Sequence, residues 1–285
     1  MKIIRSPKQM QKTAWRWRAA GRSVGLVPTM GCFHEGHLSL FRRARRENDI
    51  VVVSVFVNPA QFGPREDFAH YPRPWKRDRR LAGKCGVDVV FHPSAKALYA
   101  KGHQTWVDVE ELSRPLCGAF RPGHFRGVAT VVAKLFQLVQ PARAYFGRKD
   151  FQQLRIVQKM AADLNFPVRV VPCPTVRERD GLAMSSRNAY LSAEQRRRAA
   201  GIPRALQSVG EVIKFSSQKP ISPTVILRKA RALLRRIPGA RPDYVELVDP
   251  RSLRPLKKVA GRALVATAVR LGRARLIDNR LVGRE

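Results

Sequence analysis

Two imidazoles three residues apart, in His34-Glu35-Gly36-His37, follow directly on an apolar run and a glycine turn. The apolar run Val24 to Val27 reads as a strand that breaks at Pro28, and a helical pattern resumes near Gly36 after a loop closed by Gly31. A helix start offers unpaired backbone N–H groups and the positive end of a dipole, which suits a phosphate. Gly36, between the imidazoles, lets a bound group come close to the backbone. A metal shared by the two histidines would need a third ligand, and no good candidate stands nearby in the chain. The pattern leaves two readings at this point, a nucleotide site at the helix start and two solvated loop histidines.

Three later stretches carry residues of matching chemistry. Arg121-Pro122-Gly123-His124-Phe125 precedes a helical pattern, and its cations and glycine are suited to a carboxylate. Tyr145 to Gln153 leaves a strand through Gly147 and enters a helix; Lys149 can meet a phosphate as a point charge, and Asp150 serves equally as a helix cap or a ribose ligand. Ser185-Ser186-Arg187, on a glycine-containing segment, makes a clamp for a triphosphate.

The elements that must hold these residues alternate. Strands are predicted at 50–57, 87–91, 104–109, 143–147 and 168–171, with helices near 75–85, 125–139 and 151–164, after an entry segment and first helix within 1–22. The β-branched run Ile50 to Val57 is what a sheet covered on both faces requires. Its end, Asn58-Pro59-Ala60-Gln61, falls where open α/β sheets bind ligands. This is an α/β pattern: a Rossmann-like, doubly wound parallel sheet. Past about residue 177 the texture changes to helices at 193–213 and 223–236, separated by the polar stretch 216–222, then strands at 244–248, 263–269 and 275–277. We expect a nucleotide-binding domain over 1–180 and a smaller α+β C-terminal domain over 181–285.

At 285 residues and 44% apolar composition the chain can bury a large core, which excludes wholesale disorder. Its 55 Lys and Arg against 21 Asp and Glu give a formal net charge of +34. Such charge attracts polyanions at low salt, but the cations are spread along the chain and read by default as solvated helix faces, so nucleic acid is expected only as a non-specific polyanion effect, and an RNA-binding role driven by the basic surface is kept as the alternative reading. The four cysteines show no Cys-x-x-Cys spacing, no signal core opens the chain, and no apolar run can span a bilayer, which together predict a reduced, cytoplasmic protein with no membrane contact.

The motifs together resemble the pantoate–β-alanine ligase (pantothenate synthetase) family over nearly the whole length. They run from Pro28-Thr29-Met30-Gly31 and His34-Glu35-Gly36-His37 through Phe56-Val57-Asn58-Pro59, Tyr71-Pro72-Arg73 and Arg121-Pro122-Gly123-His124-Phe125. They continue through Lys149-Asp150 with Gln152-Gln153, the stretch from Asp180 to Asn188, Asp243-Tyr244-Val245-Glu246 and Leu276-Ile277-Asp278-Asn279.

The resemblance implies an ATP- and magnesium-dependent ligase that condenses pantoate with β-alanine through a pantoyl adenylate, usually as a homodimer. It also implies roles by position. Thr29, Met30, Gly31, Cys32, Phe33, His34, Glu35, Gly36 and His37 would line the ATP site, with His34 and His37 on the phosphates and His37 as proton donor. Gly147, Arg148, Lys149 and Asp150 would bind ATP, Lys149 contributing to catalysis. Val176, Met184, Ser185, Ser186 and Arg187 would complete the nucleotide site. Gln61, Gln153 and Asn58 would hold pantoate and β-alanine, and Asp78 would be an acid near the metal. The chain departs from the family where Arg148 and Cys117 stand in place of the usual glutamates and Cys32-Phe33 in place of alanine and leucine. Arg148 is expected to alter ATP affinity with activity retained, and Cys117 to loosen the ordering of groups behind the site.

Overall fold

The computed structural model describes residues 1–64, 66–215, 222–259 and 261–283. Among the described residues nine strands form, β1 (Lys2–Ile4), β2 (Val24–Thr29), β3 (Ile50–Val55), β4 (Val89–Phe91), β5 (Arg143–Gly147), β6 (Arg169–Cys173), β7 (Ala240–Val248), β8 (Ala263–Leu271) and β9 (Ala274–Val282). The α-helices are α1 (Pro7–Ala19), α2 (Glu35–Glu47), α3 (Trp75–Lys84), α4 (Ala95–Leu98), α5 (Glu110–Ser113), α6 (Cys117–Phe120), α7 (His124–Val139), α8 (Phe151–Asp163), α9 (Ala193–Ala199), α10 (Gly201–Phe215) and α11 (Pro223–Arg235). Two compact units divide them: Met1–Ser113 with Arg121–Arg148 and Gln153–Pro174, and Arg114–Phe120 with Lys149–Gln152 and Thr175–Glu285.

The first unit is a six-stranded sheet in the order β1-β4-β3-β2-β5-β6, parallel at every pairing. The chain runs from β2 outward through β3 to β4, then returns to β5 and β6 on the other side of β2. The strand order therefore reverses between β2 and β5, and parallel strands open a ligand crevice at their C-terminal ends at such a point. Val51, Val53 and Val55 of β3 pack with Phe33, Leu40 and Phe41 of the loop and helix that follow β2. This burial fixes the start of α2 against the sheet edge, at about 25 cal/mol per Å² of apolar surface removed from water.

The second unit is a β7-β8-β9 antiparallel meander. Leu206, Val209, Ile226 and Leu234 of α10 and α11 share one core with Val265, Val269 and Leu276 of the sheet. The β8–β9 connection needs only Gly272 and Arg273, Leu271 pairing with Ala274, and Gly272 supplies the positive φ of +57°. The doubly wound parallel sheet and the smaller α+β arrangement are thus both present.

Four local expectations need correction. The strand at 104–109 does not form: among the described residues no strand pairs with it, and the Val107 N–H donates instead to Thr130 Oγ1 on α7 at 3.0 Å. The predicted helix 193–213 is two helices, because Pro203 has no N–H to extend α9 and fits instead in the first turn of α10. The entry segment contains the edge strand β1, paired with β4. Pro28 does not end β2, since pairing with β5 covers only Gly25 and Leu26 and by Pro28 only β3 remains as a partner. Residues 216–221 of the expected polar separator lie outside the described residues.

Candidate active site

His34 is the N-cap of α2: its Nδ1 accepts the Gly36 N–H at 3.2 Å, while His37 Nδ1 accepts the His34 N–H at 3.4 Å. The two rings lie 4.1 Å apart between centroids. With both Nδ1 atoms accepting, a neutral ring carries its proton on Nε2, so this reciprocal cap sets the tautomer of both imidazoles. Phe33 packs against His37 at 5.6 Å and against Phe41 at 4.9 Å, fixing the ring from behind.

The loop between β2 and α2 is held from both sides. Thr29 Oγ1 donates to Ser54 O and accepts the Gly31 N–H. The carboxylate of Asp78, on α3, accepts the Cys32 N–H at 2.7 Å and the Phe33 N–H at 2.8 Å. Burial pushes Asp78 above the usual carboxylate range although both amides favour its charged form. Burial, with Asp78 beside it, also pushes the Cys32 thiol up, so Cys32 is a neutral loop residue rather than a nucleophile.

Gln61 lies in a single 3-10 turn after β3 and is largely buried. Its Nε2 donates to Met30 Sδ at 3.0 Å, and its Oε1 accepts from Asn58 Nδ2 at 3.2 Å. Asn58 is 1% exposed. Its Nδ2 also reaches Gly127 O at 3.0 Å, and its Oδ1 accepts the Ala60 N–H, so it supports Gln61 from beneath. Gly127 is required there: a Cβ would lie 2.2 Å from Ala60 O, so only glycine lets α7 approach this turn.

The cations of the Arg121–Phe125 stretch engage the protein's own groups. Arg121 pairs with Glu66 at 2.5 Å. Arg121 Nη2 and His124 Nδ1 converge on Gln61 O at 3.2 and 2.8 Å. The expected carboxylate holder thus fixes the backbone of Gln61. Gln153 is half-buried in the first turn of α8, just beyond the end of β5.

The second unit places its own predicted residues. Lys149 Nζ stands 3.5 Å from Asp150 Oδ1, and the Lys149 carbonyl accepts from Asn279 Nδ2 at 2.7 Å. Val176 and Met184 face each other across a hairpin turned at Gly181, the Met184 N–H donating to Val176 O at 3.0 Å. Arg177 closes this hairpin onto Asp278 with bonds of 2.8 and 2.9 Å. Ser185 then caps the turn that carries Ser186 and Arg187, its Oγ accepting the Arg187 N–H. The supporting tasks of Asp278, Asn279, Arg121 and His124 have no signature along the chain, because each partner lies far away in sequence.

A parallel sheet whose reversal point carries a strand, a glycine turn and a histidine-capped helix defines a nucleotide-handling α/β protein. The family model for pantoate-beta-alanine ligase matches residues 2–281. A pantothenate synthetase from Moorella thermoacetica is 55% identical over 262 residues, 92% of each chain. One from Thermotoga neapolitana is 49% identical over 284 residues, 99% of this chain and 100% of that one. The crystal structure of the Thermus thermophilus pantothenate synthetase superposes with a TM-score of 0.92 at 49% identity, covering 98% of this chain and 99% of that one. The ligase of Francisella tularensis, complexed with beta-gamma ATP and beta-alanine, gives a TM-score of 0.79 at 33% identity, covering 99% of this chain and 97% of that one. The chain belongs to the pantoate–β-alanine ligase family. The alternative reading, a nucleic-acid role driven by charge, gains no support from these matches. Among the described residues no helix is long and apolar enough to cross a membrane.

Proposed function

We propose that this chain condenses pantoate with β-alanine at the expense of ATP, releasing AMP and pyrophosphate and forming pantothenate. The observation that carries the reading is the histidine-capped start of α2 at the C-terminal edge of β2, within a chain that matches the ligase family along nearly its whole length. The carboxylate of pantoate attacks the α-phosphorus of ATP, giving pantoyl adenylate and pyrophosphate. The amine of β-alanine then attacks the acyl carbon, and AMP leaves as the amide forms.

The residues support this chemistry by position and charge. Thr29 to His37 bind ATP, with His34 and His37 on the phosphates and His37 as proton donor. Gly147 and Arg148 add to the ATP site, while Gln61 and Gln153 hold pantoate and β-alanine. Asn58 acts on the substrate through Gln61, to which it is bonded. By the family resemblance, Lys149 is assigned to phosphate and Asp150 to ribose, and Val176, Met184, Ser185, Ser186 and Arg187 to the nucleotide. Magnesium, bound with ATP, would supply neutralisation of the triphosphate charge; among the described residues no group of three or more His, Cys, Asp and Glu side chains is placed to hold it.

The four cysteines are free, in keeping with a reduced, cytoplasmic setting. Association of two copies is our reading from the family's habit. The test is pyrophosphate and AMP release from ATP and magnesium. Pyrophosphate appearing with pantoate alone, and sustained AMP turnover only after β-alanine is added, is the expected result. No pantoate-dependent pyrophosphate from folded protein would refute the reading.

A further inference from the structure

The family resemblance assigns Asp78 to the neighbourhood of the metal, but its geometry does not fit a metal ligand. Both oxygens are engaged by backbone amides, Oδ2 by Cys32 and Oδ1 by Phe33, and the side chain is 1% exposed. Among the described residues no group of three or more His, Cys, Asp and Glu side chains is placed to hold a metal ion.

The backbone that Asp78 holds is costly. Gly31 and Cys32 are consecutive residues with φ of +85° and +53°, and the second is not a glycine. Residues in this conformation turn successive N–H groups towards a common point, a concavity that binds anions. Here the anion is internal. The fit is close: a Cβ on Gly31 would stand 3.0 Å from Asp78 Oδ2 and 3.2 Å from Val55 Cγ1. Phe33 is followed at once by His34, the cap of α2, so the orientation of this turn sets where both imidazoles point.

We propose that Asp78 is a positioning residue: its carboxylate locks the Gly31–Phe33 turn and so aims His34 and His37 at the nucleotide, and it does not ligate magnesium. The proposal rests on the reading that His34 and His37 meet ATP. A buried ionic acceptor for two amides is a strong anchor, because removing it leaves donors unpaired in a dry site.

The test separates the two roles. Asp78→Asn keeps the size of the side chain but can no longer accept from both amides. ATP binding, measured by calorimetry in EDTA and again in excess magnesium, should weaken about tenfold and by the same factor in both. Weakening confined to the magnesium-containing sample, or none in either, would overturn the proposal. A second measurement needs no variant: in the wild-type protein the amide hydrogens of Cys32 and Phe33 should exchange slowly, and equally so when magnesium alone is added. Fast exchange, or exchange that changes with magnesium, would overturn it as well, so the proposal stays testable if Asp78→Asn does not fold. A wild-type protein that binds no ATP would sink the functional reading, and amide exchange would still decide whether the clamp exists.

Discussion

The Cys117 thiol lies 3.5 Å from Nη1 of Arg275, whose Nη2 is buried with no hydrogen-bond partner among the described residues. The same sulfur is 3.2 Å from the Tyr244 hydroxyl. Arg275 is otherwise held through Nε by Asp243 Oδ2 at 2.7 Å. A guanidinium with one side satisfied and the other facing a thiol is what results when an acid is replaced by cysteine, and the family resemblance puts a glutamate at this position. Cys117→Glu should therefore give Arg275 its missing acceptor and raise stability by about 1–2 kcal/mol. Thermal unfolding decides it: a lowered midpoint would mean that the extra side-chain volume strains the core more than the ion pair helps.

Asn58 tests the support beneath Gln61. Its carboxamide makes three hydrogen bonds from a buried position, to Gln61, Gly127 and Ala60. Asn58→Ala should cost about 1–3 kcal/mol of stability by leaving these groups unpaired. It should also raise KM for pantoate roughly tenfold with a smaller effect on kcat, because Gln61 loses its fixed orientation. Steady-state kinetics at varied pantoate check the split. An unchanged KM would show that Gln61 is held well enough by Met30 and its own backbone.

The acid limb of stability has an identifiable contributor in the second unit. Arg196 Nη1 donates to Asp180 Oδ2 at 2.6 Å, and this bond, opposed by partial burial, holds the Asp180 carboxyl below its usual value. A carboxylate with a depressed folded pKa gives stability that is fully present above its unfolded value near pH 4 and is lost as pH falls through the folded value. Arg196→Gln should then lower stability by up to about 1 kcal/mol at neutral pH, the pair being partly solvated. It should also flatten the fall in unfolding temperature below about pH 4. Parallel curves for the two proteins would remove Asp180 as a source of the acid limb.

How much of this was legible along the chain depended on distance in sequence. His34, His37 and Gly31 belong to one local device, a strand turning into a capped helix, and could be read directly. The β-branched run of β3 likewise announced a buried strand. The Asp78 clamp could not be read, because α3 and the Gly31–Phe33 turn share no local pattern and meet only once α3 is packed beside α2. Arg121 and His124 had the right chemistry for a carboxylate, but only the fold shows that the nearest acid is Glu66 and that Gln61 O accepts from both. The segment 104–109 alternates like a strand, yet a strand is a property of a pair, and among the described residues no strand pairs with it. Pro203 lies inside the apolar periodicity of 193–213, and in the folded chain its missing N–H decides where α10 begins.

Arg148 carries the last prediction, since it reverses the charge that the family usually places at that position. It is exposed at the end of the first unit's β5 segment, directly before Lys149. An exposed cation next to a triphosphate acts mainly through long-range attraction, which water and salt weaken, so its effect belongs in ATP affinity and not in the chemical step. Arg148→Glu should weaken ATP binding by about three- to tenfold at low salt, with the difference shrinking at 0.5 M salt because the Debye length falls to a few ångströms. The kcat at saturating ATP should stay within about twofold, because Arg148 is assigned no contact with the reacting atoms. Calorimetric titration of ATP at two salt concentrations, beside kcat, tests both halves. An ATP affinity that does not change at low salt would refute an effect of Arg148 on binding, and a collapse of kcat would place it at the reacting phosphate.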